Sequence, residues 1–122
     1  MHMVKNRYTA LVIDDEFFDR EPVKLILERL GYEVIQAEDG VDGVEKFIEY
    51  KPGLVILDCN MPKMNGIEAL LRMRAYEKDN AEKSCIVAAT SMFYSKEDFH
   101  AAGVNHFLEK PLLYHDLSKI VK

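Results

Sequence analysis

The sequence has little cysteine, no surplus of basic residues and no long apolar run, and each of these features argues against a class of protein. Its 122 residues carry 16 lysines and arginines against 21 aspartates and glutamates, a formal net charge of −5. A chain without a basic surplus is a poor candidate for binding nucleic acid unaided. No apolar run reaches the ~18 residues of a membrane span. The start, Met1-His2-Met3, lacks the basic and then apolar pattern of a secretory signal.

The two cysteines point to a reducing environment. Cys59 and Cys85 lie in or beside apolar, strand-like runs. Free cysteine is among the most buried residue types, and disulfides are rare in the cytosol. We therefore interpret both residues as buried free thiols and expect a cytoplasmic protein.

The chain does contain a fivefold alternation of strand-like and helix-like segments. It has no internal repeat, low-complexity segment or linker, and its length suits one domain with one core. We expect a single domain over residues 1–122, with residues 1–6 a poorly ordered lead or a cloning remnant. The predicted strands cover residues 8–13, 32–37, 54–57, 85–89 and 106–109.

A helical pattern follows each predicted strand. We expect the first helix to begin near Asp19, because Pro22 is tolerated in a first turn but costs about 3 kcal/mol in a helix interior. Gly31 should end this helix. The second pattern is broken by Lys51-Pro52-Gly53. The remaining helices are predicted over residues 67–74, 96–102 and 112–121.

Alternating strands and helices predict a parallel sheet with right-handed crossovers and helices on both faces. In such sheets, functional sites lie at the carboxyl ends of the strands. Polar side chains follow four of the predicted strands at that end: Asp14 with Asp15, Asp58, Thr90 and Lys110. We therefore expect these five side chains to meet at one edge of the sheet.

Three carboxylates, a hydroxyl and an ammonium at one point suit phosphoryl transfer onto an aspartate. Converging carboxylates repel each other, and a hard divalent cation such as Mg²⁺ relieves that repulsion through oxygen ligands. Asp58 is a candidate nucleophile, since aspartate can form an acyl phosphate. Lys110 and Thr90 could bind phosphate oxygens, because this chemistry depends mainly on positioning and charge stabilisation.

The sequence resembles the receiver domain of two-component response regulators, of the kind found in chemotaxis regulators. The matching segments are LVIDDE (11–16), LVILDCNMPKMNGIEAL (54–70), AATS (88–91) and FLEKP (107–111). The resemblance covers essentially the whole chain. It implies an α/β, flavodoxin-like, doubly wound sheet of five parallel strands in the order 2-1-3-4-5, with helices on both faces.

The resemblance also implies a role for each matching residue. Asp58 would accept the phosphoryl group, and Mg²⁺ would be bound by Asp15, by Asp58 and by the backbone carbonyl of Asn60. Asp14 would act mainly through a metal-bound water. Lys110 would pair with the phosphoryl group.

The same resemblance implies a switch that carries the signal outward. Thr90 would move toward the phosphoryl group and free space for the ring of Phe107. The fourth helix, fifth strand and fifth helix would then present an altered face to a downstream partner or a fused output domain. The phosphodonor would be a histidine kinase or a histidine phosphotransfer protein.

Two positions that tune dephosphorylation in the family are Asn60 and Met92 in this chain. A bulky Met92 should hinder the attacking water, so we expect slower self-dephosphorylation than in a Met92→Glu variant. The spacing from Thr90 to Lys110 is shorter than the family pattern, with the loss expected in or before the fourth helix. Met92, Phe93 and Tyr94 could form a partner surface or could cover that short helix.

Three other functions remain open at this point. The chain could be an unphosphorylated receiver-fold binding module. A phosphatase with an aspartate nucleophile typically needs a second aspartate where this chain has Asn60, which cannot transfer the proton. A flavodoxin-like flavin binder needs a phosphate cradle after the first strand, where Asp14, Asp15 and Glu16 would repel the phosphate. We expect a protein that is not an enzyme beyond its own phosphorylation and dephosphorylation.

Overall fold

The molecule is built on a parallel sheet of five strands in the order β2-β1-β3-β4-β5. The structure, a computed structural model, describes residues 6–61, 63–78, 83–90 and 95–121. The strands are β1 (Asn6–Ile13), β2 (Glu33–Ala37), β3 (Pro52–Asp58), β4 (Cys85–Thr90) and β5 (His106–Glu109). The helices are α1 (Phe17–Arg29), α2 (Gly40–Tyr50), α3 (Gly66–Tyr76), α4 (Lys96–Ala101) and α5 (Tyr114–Ile120). The predicted fold class and strand order are confirmed.

Each face of the sheet has its own apolar core. In β1, Ala10 and Val12 contribute to one cluster and Leu11 and Ile13 to the other, as expected when successive side chains point to opposite faces. The first cluster includes residues of α1 and α5, and the second includes residues of α2, α3 and α4. The sheet is therefore covered by helices on both faces.

The predicted start of the first helix is wrong. α1 begins at Phe17, with Pro22 inside it, because the N–H groups of Asp19 and Arg20 both donate to the carbonyl of Glu16, at 3.1 and 2.9 Å. The N–H of Glu16 in turn donates to Oδ1 of Asp14 at 3.0 Å, which fixes the turn before the helix. The turn after β1 therefore decides where α1 begins. Pro22 lies inside this helix, on its exposed side.

Other boundaries differ by a few residues. β1 begins at Asn6 and β3 at Pro52, each two residues before the predicted start. α2 ends at Tyr50 with Lys51 in a left-handed conformation at φ 49°, so the predicted break lies where expected. α4 has six residues. Met92, Phe93 and Tyr94 lie outside the described residues, so the predictions made for them stay predictions.

No helix within the described residues has the length and apolar character needed to cross a membrane.

Candidate functional site

The ammonium of Lys110 lies at the centre of the polar cluster at the carboxyl edge of the sheet. Its Nζ is 2.7 Å from Oδ2 of Asp14, 3.1 Å from Oδ1 of Asp58 and 3.2 Å from Oδ2 of Asp19. The side chains of Asp14 and Asp58 are almost completely buried, whereas that of Asp19 is half exposed. One ammonium therefore offsets part of the charge of three carboxylates.

Asp14 is held by the residues that follow it. Its backbone carbonyl accepts a hydrogen bond from Nη1 of Arg20 at 2.8 Å, and the same guanidinium donates from Nε to Gln36 at 3.0 Å. Asp14 also donates its N–H to the carbonyl of Ala37 at 3.1 Å. Contacts with α1 and with β2 thus hold the backbone at Asp14, while Oδ1 of its carboxylate accepts a hydrogen bond from the N–H of Glu16 at 3.0 Å.

Asp58 ends β3, and its pKa is higher than that of an ordinary aspartate. Burial, followed by the negative charge of Asp14, raises the pKa of Asp58 to about 6, although Lys110 and the N–H of Asn60 lower it. For Lys110, burial favours the neutral form, but the hydrogen bonds and charges of Asp14 and Asp58 outweigh burial and raise its pKa above the ordinary value. Asp58 thus carries a partly uncompensated negative charge, which a cation would stabilise.

Three carboxylates are placed to hold a metal ion. Ligand atoms of Asp14, Asp15 and Asp58 all lie within 4.8 Å of one another, with Asp15 the most exposed of the three. Mg²⁺ binds through one or two carboxylates and keeps several waters, so an open, oxygen-only cluster fits it. The raised pKa of Asp58 supports the same conclusion, because burial and then the charge of Asp14 both disfavour the ionised carboxylate, which a bound cation would stabilise.

The start of α3 approaches the backbone of Asp58 closely. A Cβ atom on Gly66 would lie 2.9 Å from the carbonyl oxygen of Asp58, so a larger residue would push the helix away from the site. Asn60 is exposed, and its N–H lies 3.5 Å from Oδ1 of Asp58. The loop after β3 is therefore held beside the site by backbone packing.

Thr90 and Phe107 lie on the neighbouring strands. Thr90 ends β4 in a buried position, and its carbonyl accepts a hydrogen bond from the N–H of Lys110 at 2.8 Å. Phe107 is half buried on β5, with its ring centroid 5.4 Å from that of Phe99 on α4. Phe107 therefore links β5, the strand that pairs with β4, to α4.

Cys59 is a buried free thiol, as predicted. Burial and the charge of Asp58 raise its pKa to about 12, against a hydrogen bond with Thr90 that lowers it. The thiol is therefore neutral near pH 7, which makes it a packing residue behind the site. Cys85 is also free and is partly buried.

A cavity of about 80 Å³ opens beside Asp58 and Lys110. Phe18, which is 84% exposed, lies on its rim, so the cavity is a route by which a reactant could reach Asp58. The other lining residues come from β1, β3, β4 and α1, from the turn after β1 and from the loop before α5: Val12, Ile13, Asp14, Asp19, Pro22, Val23, Ile56, Ala89, Pro111 and Leu112.

The structure brings together Asp14, Asp15, Asp58 and Lys110 in one cluster, with Thr90 on the adjoining strand end and Asn60 in the adjoining loop. Met92 lies outside the described residues. Sequence reasoning missed Asp19 and Arg20, which contact Lys110 and Asp14. Both residues lie about one helical turn after the acidic pair. They point toward the site because α1 begins at Phe17, earlier than the predicted start near Asp19.

Comparisons with known proteins agree with this arrangement. The family described as the response regulator receiver domain matches residues 10–122. A chemotaxis protein CheY from Treponema pallidum is 39% identical over 108 residues, which cover 86% of this chain and 74% of the relative.

Two solved structures share the fold along nearly the whole chain. The receiver domain of a sensor histidine kinase from Pseudomonas aeruginosa, with a magnesium ion coordinated in its active-site cleft, has a TM-score of 0.82 at 26% identity and covers 94% of both chains. A receiver domain from Saccharomyces cerevisiae, crystallised with its histidine phosphotransfer signalling protein, has a TM-score of 0.83 at 26% identity. That match covers 98% of this chain and 89% of the yeast chain.

Proposed function

This chain belongs to the response regulator receiver domain family of two-component signalling, and from that membership we propose that it accepts a phosphoryl group on Asp58. The observation that carries the proposal is the position of Asp58. It is a buried carboxylate at the end of β3, faces the ammonium of Lys110 at 3.1 Å and borders an open cavity.

The proposed donor is a phosphohistidine of a kinase or of a phosphotransfer protein. An oxygen of Asp58 attacks the phosphorus, the phosphorus–nitrogen bond breaks, and the imidazole keeps the bonding electrons and takes up a proton. With a pKa of about 6, Asp58 is mostly ionised at pH 7 and so is competent as a nucleophile. Lys110 stabilises the charge on the phosphoryl oxygens.

Asp14, Asp15, Asp58 and the backbone carbonyl of Asn60 would hold the Mg²⁺ ion. When bound, the ion offsets the negative charge that accumulates as a phosphoryl group nears a carboxylate. Arg20 and the turn before α1 keep Asp14 directed toward this position, with the guanidinium 2.8 Å from the Asp14 carbonyl.

The signal leaves the site through Thr90 and Phe107. The hydroxyl of Thr90 binds the new phosphoryl group, and the ring of Phe107 then changes its packing against Phe99 of α4. This is a two-state element that a local charge biases. The surface formed by α4, β5 and α5 would present the change to an effector protein or a fused output domain. Asn60 and Met92 would tune the lifetime of the phosphoryl group.

The partners and the extent of the domain are part of the same proposal. The yeast relative was crystallised with a histidine phosphotransfer protein, which supports a donor of that kind here. Residues 1–122 would form one domain that acts in the cytoplasm. Receiver domains are generally not classical enzymes, and this chain would turn over only its own phosphoryl group.

Phosphoryl uptake tests the proposal. The protein is incubated with acetyl phosphate, with and without Mg²⁺, and its intact mass is measured. We expect a gain of one phosphoryl group that requires Mg²⁺ and is absent in Asp58→Ala. Continuous release of phosphate from an ester substrate would instead favour the phosphatase, and no uptake from any donor would favour the unphosphorylated binding module.

A further inference from the structure

A third carboxylate, that of Asp19 on α1, contacts the ammonium of Lys110. We propose that Asp19 is a positioning residue that binds Lys110 in the unphosphorylated protein, releases it on phosphorylation, and thereby limits how tightly the site holds a phosphoryl group. This inference rests on the proposed function, because it concerns the same site. It assigns a role to a residue outside the set that the sequence resemblance implies.

The three donors of Lys110 limit how many phosphoryl oxygens it can bind. An ammonium has three N–H donors, and three carboxylates lie within 3.2 Å of Nζ: those of Asp14, Asp58 and Asp19. All three donors therefore have an acceptor in the unphosphorylated protein. Phosphorylation converts Asp58 into an acyl phosphate, so the contact of Lys110 with Asp58 becomes a contact with the phosphoryl group. Any second bond from Lys110 to a phosphoryl oxygen must replace the contact with Asp14 or with Asp19.

Between Asp14 and Asp19, burial favours exchange of the contact with Asp19. The side chain of Asp19 is 49% exposed, against 8% for Asp14 and 7% for Asp58. Water can solvate Asp19 after it leaves Lys110, whereas a buried carboxylate that lost its cation would be left uncompensated. The distances agree, because Asp19 is the most distant of the three at 3.2 Å.

The released carboxylate remains beside the phosphoryl group. Asp19 and Asp58 line the same cavity, so an incoming phosphoryl group meets the charge of Asp19 as well as competition for Lys110. Both effects oppose occupancy of the site. Exposed charge pairs of this kind change equilibria modestly, so we expect removal of the Asp19 charge to strengthen binding about two- to fivefold.

Asp19 also lies in the first turn of α1, where a negative charge stabilises a helix. A purely structural role would therefore appear as a change in the stability of the helix. Glu21 offers a matched control on the same helix, because its recorded ion pair is with Lys24 at 3.5 Å and not with Lys110.

The test compares the wild type with Asp19→Asn, Asp19→Glu and Glu21→Gln. The dissociation constant of BeF₃⁻, used as a phosphoryl mimic, is measured by titration at saturating Mg²⁺, and the melting temperature of each variant is recorded. We expect about two- to fivefold tighter binding for Asp19→Asn, with Asp19→Glu and Glu21→Gln close to the wild type. The difference should shrink at high ionic strength, because salt screens exposed charges.

A kinetic measurement separates charge at the site from helix stability. Phosphorylation rates are compared for acetyl phosphate, which is doubly charged, and phosphoramidate, which carries one net negative charge. We expect Asp19→Asn to lower the apparent KM for acetyl phosphate more than for phosphoramidate, with kcat changed less than KM. A helix effect would alter both donors equally and would follow the melting temperature.

The outcomes distinguish this inference from the proposed function. Equal BeF₃⁻ affinity in the wild type, Asp19→Asn and Glu21→Gln would overturn the role of Asp19 and leave the proposed function intact. Equal strengthening in Asp19→Asn and Glu21→Gln would also overturn it, since net charge alone would then explain the effect. Failure of the wild type to bind BeF₃⁻ with Mg²⁺ would overturn the proposed function and this inference with it.

Discussion

The Nζ atom of Lys110 lies 3.1 Å from Oδ1 of Asp58, and both side chains are largely removed from water. Asp58 ends β3 and Lys110 directly follows β5, two strands that are separated by β4 in the sheet. Their contact places a cation beside Asp58, the proposed nucleophile. This cation offsets only part of the charge of Asp58, since the pKa of Asp58 remains raised.

The stability of the metal-free protein should depend on pH through Asp58. Its pKa is about 6 in the folded protein against an ordinary 3.8, so the folded state binds the proton more tightly than the unfolded state. The resulting stabilisation is complete below about pH 4 and is lost as pH rises through about 6. Relative to Asp58→Asn, the wild type should therefore lose about 1–3 kcal/mol of unfolding free energy over this interval.

Chemical denaturation at a series of pH values, with a chelator present, measures this difference. Because other carboxylates titrate in both proteins, only the difference between the wild type and Asp58→Asn is informative. A difference that does not vary with pH would show that Asp58 has an ordinary pKa in the folded protein.

Magnesium should stabilise the folded protein through the acidic cluster. Binding to the folded state alone contributes about 2.7 kcal/mol at a concentration one hundred times the dissociation constant. We expect Mg²⁺ to raise the melting temperature of the wild type and to have at least tenfold weaker affinity for Asp15→Asn. Glu97→Gln, which removes an exposed carboxylate on α4, is the control. A similar loss of affinity in that control would point to non-specific binding of the ion.

Phe18 should contribute to transfer from a protein donor more than to the chemistry itself. Its ring is 84% exposed yet borders the cavity at Asp58, a position suited to contact with a docked protein. Removing an aromatic anchor commonly costs ~2 kcal/mol of binding. We expect Phe18→Ala to slow phosphotransfer from a cognate phosphohistidine protein about tenfold or more, while uptake from acetyl phosphate changes less than about twofold.

Leu71→Ala is the matched control for Phe18→Ala. Leu71 is 52% exposed and belongs to α3, on the opposite face of the sheet. Phosphotransfer rates with the protein donor and with acetyl phosphate, measured for both variants, separate docking from chemistry. An equal loss with the two donors would mean that Phe18 acts on the site and not on docking.

Phosphorylation should change the environment of Phe107 only when Thr90 is present. The rings of Phe107 and Phe99 lie 5.4 Å apart, so movement of either ring alters the aromatic chemical shifts of both. We expect BeF₃⁻ with Mg²⁺ to shift these signals in the wild type and in a Ser118→Ala control, but much less in Thr90→Ala. The same shifts in Thr90→Ala would remove Thr90 from the switch.

The sequence was sufficient for the order of strands and helices and for the cluster at the sheet edge. Asp14, Asp58 and Lys110 follow apolar runs, and parallel strands carry their ends to one edge whatever the details of packing. A local pattern could not reveal contacts such as Lys110 with Asp19, because these residues are 91 positions apart and meet only in the folded chain.

The start of α1 was missed for a related reason. The predicted start near Asp19 depended on the position of Pro22. In the structure, the hydrogen bond from the N–H of Glu16 to the Asp14 carboxylate sets the start of the helix. Arg74 is a further example, since it binds Ser84, Gly103 and Asn105, which no periodic pattern connects. Such polar contacts depend on which surfaces packing brings together, and hydrophobic spacing alone does not specify them.

The identity of the phosphorylated residue tests the central claim most directly. The protein is phosphorylated with acetyl phosphate and Mg²⁺ and treated with borohydride, which reduces an aspartyl phosphate to homoserine, and its peptides are sequenced by mass spectrometry. We predict homoserine at position 58 and at no other aspartate. Homoserine at position 14 or 15, or a stable phosphoryl gain that survives in Asp58→Ala, would contradict the account.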